Sequence, residues 1–408
     1  MKHTVPTLTA LAAFAVIGTP AFGASIADDL VIKPKTQIQV RAQFGAAGTT
    51  TTGADYNPFN GAVGDTETAR FSVRRARFGA EAKNTTGWSA VFQIRAGERA
   101  DAVAGGIAPA AAKARAAELY YANVTKVFKA DGYEIDIHGG LDKPFNAESS
   151  ISSSGYLMAM DRPNAHWTEV RDVGIGSKGL FAEIVRAGFD IQNNQGANNQ
   201  DANSDANGLF TSFRVEFAPG KQYMPSKKLE SWAGQEGQHI VIGFDYQNDA
   251  DRLTTVGAND QKTSVQTIGP DVLVHFDGLT ALADLRMRTT KVENQTGASP
   301  ADVKGQVYTV QAGYAFPFEQ GFAIEPALRI SKIDLNKDVD GDNSGTIDQG
   351  EYRTNRSGNE LTFGVNAYWN GHANKTQLSY TSFTGEEGNA GTEKMKAHII
   401  TLQQQVTF

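Results

Sequence analysis

The residues best suited to chemistry lie at Asp340–Glu351, which reads DGDNSGTIDQGE. Twelve-residue calcium loops place oxygen donors at positions 1, 3, 5, 7, 9 and 12, a glycine at 6 and often an aliphatic residue at 8. Here the donors are Asp340, Asp342, Ser344, the Thr346 carbonyl, Asp348 (directly or through water) and Glu351 as the bidentate ligand, with Gly345 and Ile347 in the two structural positions. Ca²⁺ takes roughly six to eight oxygens, and gathering these carboxylates without a cation would be repulsive. The spacing therefore predicts a Ca²⁺ site of structural type. A second set is cationic: Arg41, Arg75, Arg77, Arg95, Arg286, Arg288 and Arg329, each on the polar side of an alternating stretch. Such groups sort charged solutes where they line a water-filled passage. A third is His138 beside Asp136, a dyad in an enzyme and an ordinary polar wall residue otherwise. Serines cluster at Ser149–Ser154, yet the chain has no G-x-S-x-G nucleophile elbow, which favours the bland reading.

The elements that must carry these groups are strands. In the terminal stretch AHIITLQQQVTF, His398, Ile400, Leu402, Val406 and Phe408 share one face, while Ile399, Thr401, Gln403, Gln405 and Thr407 share the other. A period of two between unlike faces marks a strand separating two environments. Ile38, Val40, Ala42 and Phe44 alternate with Gln37, Gln39, Arg41 and Gln43 in the same way. Between Arg70 and Lys83 the phase slips near Arg74–Arg75, which predicts a bulge. Near Tyr120 and Tyr121 the apolar face is contested by both rings.

Composition narrows the class. The 408 residues are 40% hydrophobic, with a mean hydropathy of −0.36, and no apolar run beyond the first residues approaches the roughly 18 that a spanning helix needs. Cysteine is absent, so there is no disulfide framework. A net charge of −7 argues against a nucleic-acid binder. Lys2 and His3, the apolar run Leu8–Ile17 and the small residues Ala21 and Gly23 predict a signal peptide over 1–23, cleaved before Ala24. Exported, strand-rich and ending on an aromatic, residues 24–408 read as an all-β chain: a transmembrane antiparallel β-barrel of about sixteen strands. Short turns are expected at Asn84–Gly87, Ser177–Gly179, Asp277–Gly278, Pro317–Gly321 and Asn370–Asn374. Long connections are expected at about 45–69, 98–113, 142–170, 192–208, 249–262, 290–302, 334–359 and 384–395. This alternation is that of periplasmic turns and extracellular loops; residues 218–238 break it with a long link on the turn side.

Several segments resemble the phosphate-selective porin O and P family of Gram-negative outer membranes: Arg70–Gly79 (RFSVRRARFG), Gly139–Phe145 (GGLDKPF) with Glu148 and the following serines, Arg171–Gly174, Glu325–Leu335 and Leu361–Asn366. The resemblance implies a sixteen-stranded homotrimeric porin, set among outer-membrane lipid and lipopolysaccharide, whose third loop folds into the pore. By contrast, the flanks of the Asp340–Glu351 loop depart from the EF-hand family, since strands rather than paired helices adjoin it.

The expected function is a passive channel for small hydrophilic solutes, with a weak anion preference, and no catalysis. The alternative is an outer-membrane enzyme of lipase or protease type. The constriction is expected from residues 142–170, where Tyr156, Leu157, Met158 and Met160 follow the serines: an external loop has little use for such an apolar patch unless it packs on the inner wall.

Overall fold

The computed structural model describes residues 30–48, 66–96, 118–145, 171–193, 208–219, 238–256, 259–294, 302–318, 321–334, 357–385 and 396–408. They form a closed, antiparallel, 16-strand barrel. In chain order the strands are β1 Val31–Gly48, β2 Thr66–Lys83, β3 Trp88–Ala96, β4 Glu118–Ala130, β5 Tyr133–Asp142, β6 Asp172–Phe181, β7 Val185–Asn193 and β8 Leu209–Phe217. There follow β9 Gln238–Val256, β10 Asn259–Phe276, β11 Leu279–Asn294, β12 Val303–Tyr314, β13 Ala323–Asp334, β14 Gly358–Asn370, β15 Asn374–Gly385 and β16 Lys396–Thr407. Phe316–Pro317 continues β12 past a break and pairs with β13. Each strand neighbours the next in sequence, and β16 returns to β1 in register from Gln37↔Thr407 to Gly48↔Lys396. Two backbone bonds extend that seam, Phe408 N to Thr36 O at 2.9 Å and Thr36 N to Phe408 O at 3.3 Å.

The alternation faces opposite to a soluble sandwich. Gln39 is 0% exposed while its neighbour Val40 is 47% exposed. Polar side chains therefore point inward and apolar ones outward, which is stable only where the outer medium is hydrocarbon. Exposed aromatics concentrate at the turn ends of the strands, among them Trp88, Tyr133, Phe181, Phe217, Phe276 and Trp369. They form the interfacial girdle at that rim. Among the described residues a small apolar cluster, Ala218, Val241, Leu273 and Leu282, lies inside the turn-side end of β8–β11.

Both irregularities expected from the sequence are bulges. Gln39 pairs with Arg75 and Val40 with Val73, leaving Arg74 as the extra residue of β2. In β4, Gln93 pairs with Tyr121 and Ile94 with Leu119, leaving Tyr120 extra. Two residues facing one across a bulge share a side of the sheet, so Tyr120 and Tyr121 both lie on the inner side and neither competes for the lipid face.

Two expectations require correction. The turn between β6 and β7 is Ala182–Ile184 rather than Ser177–Gly179. Ala182 and Glu183 adopt positive φ, 49° and 58°, the backbone of a type I′ hairpin that usually selects Asn or Gly. Gly179 is within β6 instead, leaving space for the Phe181 ring, which lies 2.6 Å from where a Cβ would stand. The connection expected at 249–262 is also largely strand, since β9 and β10 continue as a hairpin to the pair Val256↔Asn259. That stretch is rich in Asn, Asp and Thr, and its sequence lacks the apolar–polar alternation that marks a membrane strand.

Candidate functional site

The inner wall carries the candidate site, and all seven arginines expected to line it point inward. On the β1–β4 arc Arg41, Arg75 and Arg77 donate to neutral side chains. Arg41 donates to Gln403 Oε1 from Nη2 at 2.9 Å, Arg75 to Gln39 Oε1 at 3.1 Å, and Arg77 to Gln37 Oε1 at 3.1 Å. Arg77 also donates to the Tyr120 hydroxyl at 2.6 Å. Three guanidinium groups surround the Tyr120 ring: the Cζ atoms of Arg77, Arg95 and Arg171 lie 4.1, 4.8 and 3.9 Å from its centroid. Arg171 donates to the Tyr120 hydroxyl as well. Cation–π attraction to the ring face offsets part of the repulsion among three like charges. Neither Arg171 nor Tyr120 was identifiable as a site residue from alternation. Arg171 precedes β6, and Tyr120 occupies the position at which the bulge resets the phase.

The β8–β11 arc is different, because here arginines meet carboxylates. Arg214 binds Asp271 bidentately at 2.6 and 2.7 Å and Glu216 at 2.8 Å. Arg286 donates to Asp284 at 2.7 Å, to Asp271 at 2.7 Å and to Asp245, and Arg186 lies 3.9 Å from Glu216. Asp271 and Asp284 stand directly opposite in the β10–β11 register, where like charges destabilise a sheet; Arg286 bonds to both. Asp271 escaped the sequence reading because Pro270 precedes it and obscures the strand phase. Arg329 is likewise paired, to Glu360 at 2.7 Å. Arg288 faces inward above this network, half-buried.

Strands β2 and β10 stand eight places apart in a ring of sixteen, so the two arcs occupy opposite walls. One gathers arginines around a tyrosine ring and the other ties its arginines to buried acids. Between them, along β14–β16 and β1, runs an amide ladder: Gln39 donates to Gln405 at 2.6 Å, Gln403 to Gln377 at 3.2 Å, and Gln377 to Asn366 at 2.9 Å.

The base of the third external connection turns into the lumen. Lys143, Pro144 and Phe145, immediately after β5, are buried. The Phe145 ring lies against Gly188 on the inner face of β7, where a Cβ would be 2.8 Å from its Cδ1. The Arg186 Cζ is 4.6 Å from the ring centroid. Below it, His138 is not part of a simple dyad. Its Nε2 lies 2.7 Å from Asp190 Oδ1 and its Nδ1 3.2 Å from Asp136 Oδ1.

Residues 146–170, the calcium-loop candidate Asp340–Glu351 and the expected signal peptide 1–23 lie outside the described residues. The described flanks of the calcium loop are strands, β13 ending at Asp334 and β14 beginning at Gly358.

Comparison with known proteins agrees with this architecture. No curated protein sequence matches the chain. Among solved structures, the channel DcaP of Acinetobacter baumannii superposes with a TM-score of 0.52 at 11% identity, covering 95% of this chain and 99% of that one. A loop L8 deletion mutant of OmpT, an outer membrane protein of Vibrio cholerae, gives 0.52 at 7% identity, covering 93% and 100%. A trimer form of the same OmpT gives 0.50 at 10% identity, covering 93% and 100%. At such identities these likenesses speak for the fold alone. The family model for phosphate-selective porin O and P matches residues 47–408, and a barrel that is polar within and apolar without is what that match requires. The chain belongs to the phosphate-selective porin O and P family, and is an outer-membrane porin.

Proposed function

We propose that the protein is a passive, water-filled channel for small hydrophilic solutes, with an anion preference set by the arginine cage around Tyr120. The observation that carries this reading is the convergence of three guanidinium groups on one aromatic ring of the inner wall. Arg214 and Arg286 spend their charge on buried carboxylates, whereas Arg77, Arg95 and Arg171 converge on one aromatic ring. A cluster of fixed positive charge in a narrow aqueous passage raises the local concentration of anions. The enzyme alternative loses support at His138. Both of its ring nitrogens are turned to carboxylates, leaving neither to accept a proton from a nucleophile. Ion conductance of the purified protein in planar bilayers separates the two readings: discrete channel openings support the porin, and hydrolysis of ester or peptide substrates without conductance refutes it.

Three finer features belong to the same proposal. The inward turn at Phe145 supports a constriction built by the remainder of the 142–170 connection. Assembly as a homotrimer in outer-membrane lipid and lipopolysaccharide follows the family's habit, after removal of residues 1–23 during export. The ligand spacing of Asp340, Asp342, Ser344, Thr346, Asp348 and Glu351 supports a Ca²⁺ site in the external loop between β13 and β14. With strands on either side, such a site acts as a clip that orders the loop.

A further inference from the structure

The Phe145 backbone is bonded to a carboxylate on the inner wall, and that carboxylate is shared with a histidine. We propose that Asp190 and His138 form a proton-dependent anchor that fixes the base of the third connection against the wall and thereby sets the width of the channel; this rests on the porin reading above.

The geometry is specific. The Phe145 backbone N–H donates to Asp190 Oδ2 at 2.7 Å, while Asp190 Oδ1 faces His138 Nε2 at 2.7 Å. The two oxygens of one carboxylate thus serve two tasks. Two inner-wall glycines make room for this arrangement. A Cβ at Gly176 would lie 2.3 Å from Asp190 Oδ1 and 2.6 Å from His138 Nε2. The His138–Asp190 contact therefore occupies the space a side chain on β6 would fill, as the Phe145 ring does over Gly188 on β7.

The imidazole is engaged on both sides, by Asp190 and by Asp136 at 3.2 Å. A neutral ring offers one N–H and one lone pair. Only the doubly protonated ring donates to both carboxylates; a neutral ring turns a lone pair toward one of them. The other charged groups around the pair are Lys178 on β6, which lies 5.8 Å from the Phe145 ring, Arg186 on β7, which stacks on that ring, and Arg214 on β8, 6.0 Å from it and already bonded to Glu216 and Asp271. From β4 the residue opposite His138 is Thr125, and from β8 the residue opposite Asp190 is Ser212; neither titrates. Loss of the imidazole proton leaves Asp190 facing a weaker donor or none, with two cations nearby competing for its oxygens, and the hold on the Phe145 N–H loosens. The ring then leaves its place over Gly188, and the passage widens.

The test is single-channel conductance of the purified full-length protein in planar bilayers across a pH titration, with folding checked by heat-modifiable gel migration. For the parent, conductance is expected to increase as pH rises. In His138→Gln the conductance should be pH-independent and sit at the parent's alkaline level. Asp190→Asn, which removes one acceptor oxygen, should raise conductance at acidic pH. Phe145→Ala lies outside the strand wall and should raise conductance at every pH. A parent channel indifferent to pH overturns the anchor, as does His138→Gln retaining the parent's pH profile, or folded Asp190→Asn with the parent's conductance. If Asp190→Asn does not fold, the His138→Gln profile alone decides. A folded parent that forms no channels overturns the porin reading itself, a different result from channels that ignore these substitutions.

Discussion

Arg214 on β8 reaches past β9 to hold Asp271 on β10 with both arms of its guanidinium, at 2.6 and 2.7 Å. It crosses at Gly243, where a Cβ would lie 2.1 Å from Nη2 and 2.5 Å from Asp271 Oδ1. Arg214 and Asp271 are 0% and 1% exposed, so their separation strands charges away from water. Removing one partner of a buried pair costs about 3–5 kcal/mol. Arg214→Met is expected to lower the free energy of unfolding in urea by that order, since Glu216 and Asp271 lose their common partner. Gly243→Val should do the same without touching a charge. Unfolding midpoints equal to the parent's in both variants would show the network to be energetically idle.

Selectivity is expected to follow the cage around Tyr120. A unit charge at about 4 Å in a watery setting changes an ion's energy by about 1 kcal/mol, several-fold in relative permeability. Arg77→Gln and Arg171→Gln should each shift the reversal potential in a KCl gradient toward cation preference, and the double variant should shift it further. Arg329→Gln, on β13 and outside the cage, should shift it less. Equal shifts for all three would assign selectivity to net charge and not to the cage.

Backbone constraints give a sharper contrast. Gly140 has φ 121°, and a Cβ there would stand 2.2 Å from the Ala122 carbonyl oxygen on β4. Gly132, in the turn between the same strands, has φ 80° with nothing within 4 Å. Gly140→Ala is therefore expected to reduce the folded, heat-modifiable fraction on gels, whereas Gly132→Asn should be neutral, because Asn tolerates left-handed backbone.

The constriction is tested by deleting residues 149–158. An enlarged single-channel conductance is expected, and an unchanged one would place the narrowest point on the wall.

Calcium binding is tested by calorimetry on the purified barrel. The parent should bind Ca²⁺, and Asp340→Ala and Glu351→Gln should each weaken or abolish that binding, since each removes charged oxygen ligands. Heat identical in all three would show the spacing to be accidental.

How much of this was legible from the sequence depended on whether the two faces of a strand meet different media. Between Ile240 and Tyr246, or Leu361 and Trp369, one face meets lipid and the other water, and the alternation located both faces correctly. The outer part of the β9–β10 hairpin is rich in Asn, Asp and Thr with no alternation, and its strand character was hidden. The Arg74 slip was visible because a bulge displaces the whole apolar set by one. Tyr120 and Tyr121 remained ambiguous because two aromatics suit a membrane rim and a wall equally well. The site was half legible. Alternation assigned the arginines to the lumen, yet only packing distinguishes Arg286, tied to three aspartates, from Arg77 on a tyrosine. Gly176, Gly188 and Gly243 carry no mark in the sequence of what they do, which is to create room for contact between side chains on other elements.

The seam between β1 and β16 joins residues at opposite ends of the chain, Gln37 to Thr407. Every other strand pairing is between neighbours in sequence and can form by local zippering, but this one pays the full loop-closure entropy and belongs to the slow class of non-local contacts. Until it forms, β1 and β16 are open edges with apolar outer faces, the geometry most prone to templating aggregation. The rate-limiting event in biogenesis is therefore expected to be this last annealing. A nascent barrel needs both of its edges shielded until it occurs, whatever the speed of the fifteen hairpin steps around the rest of the ring.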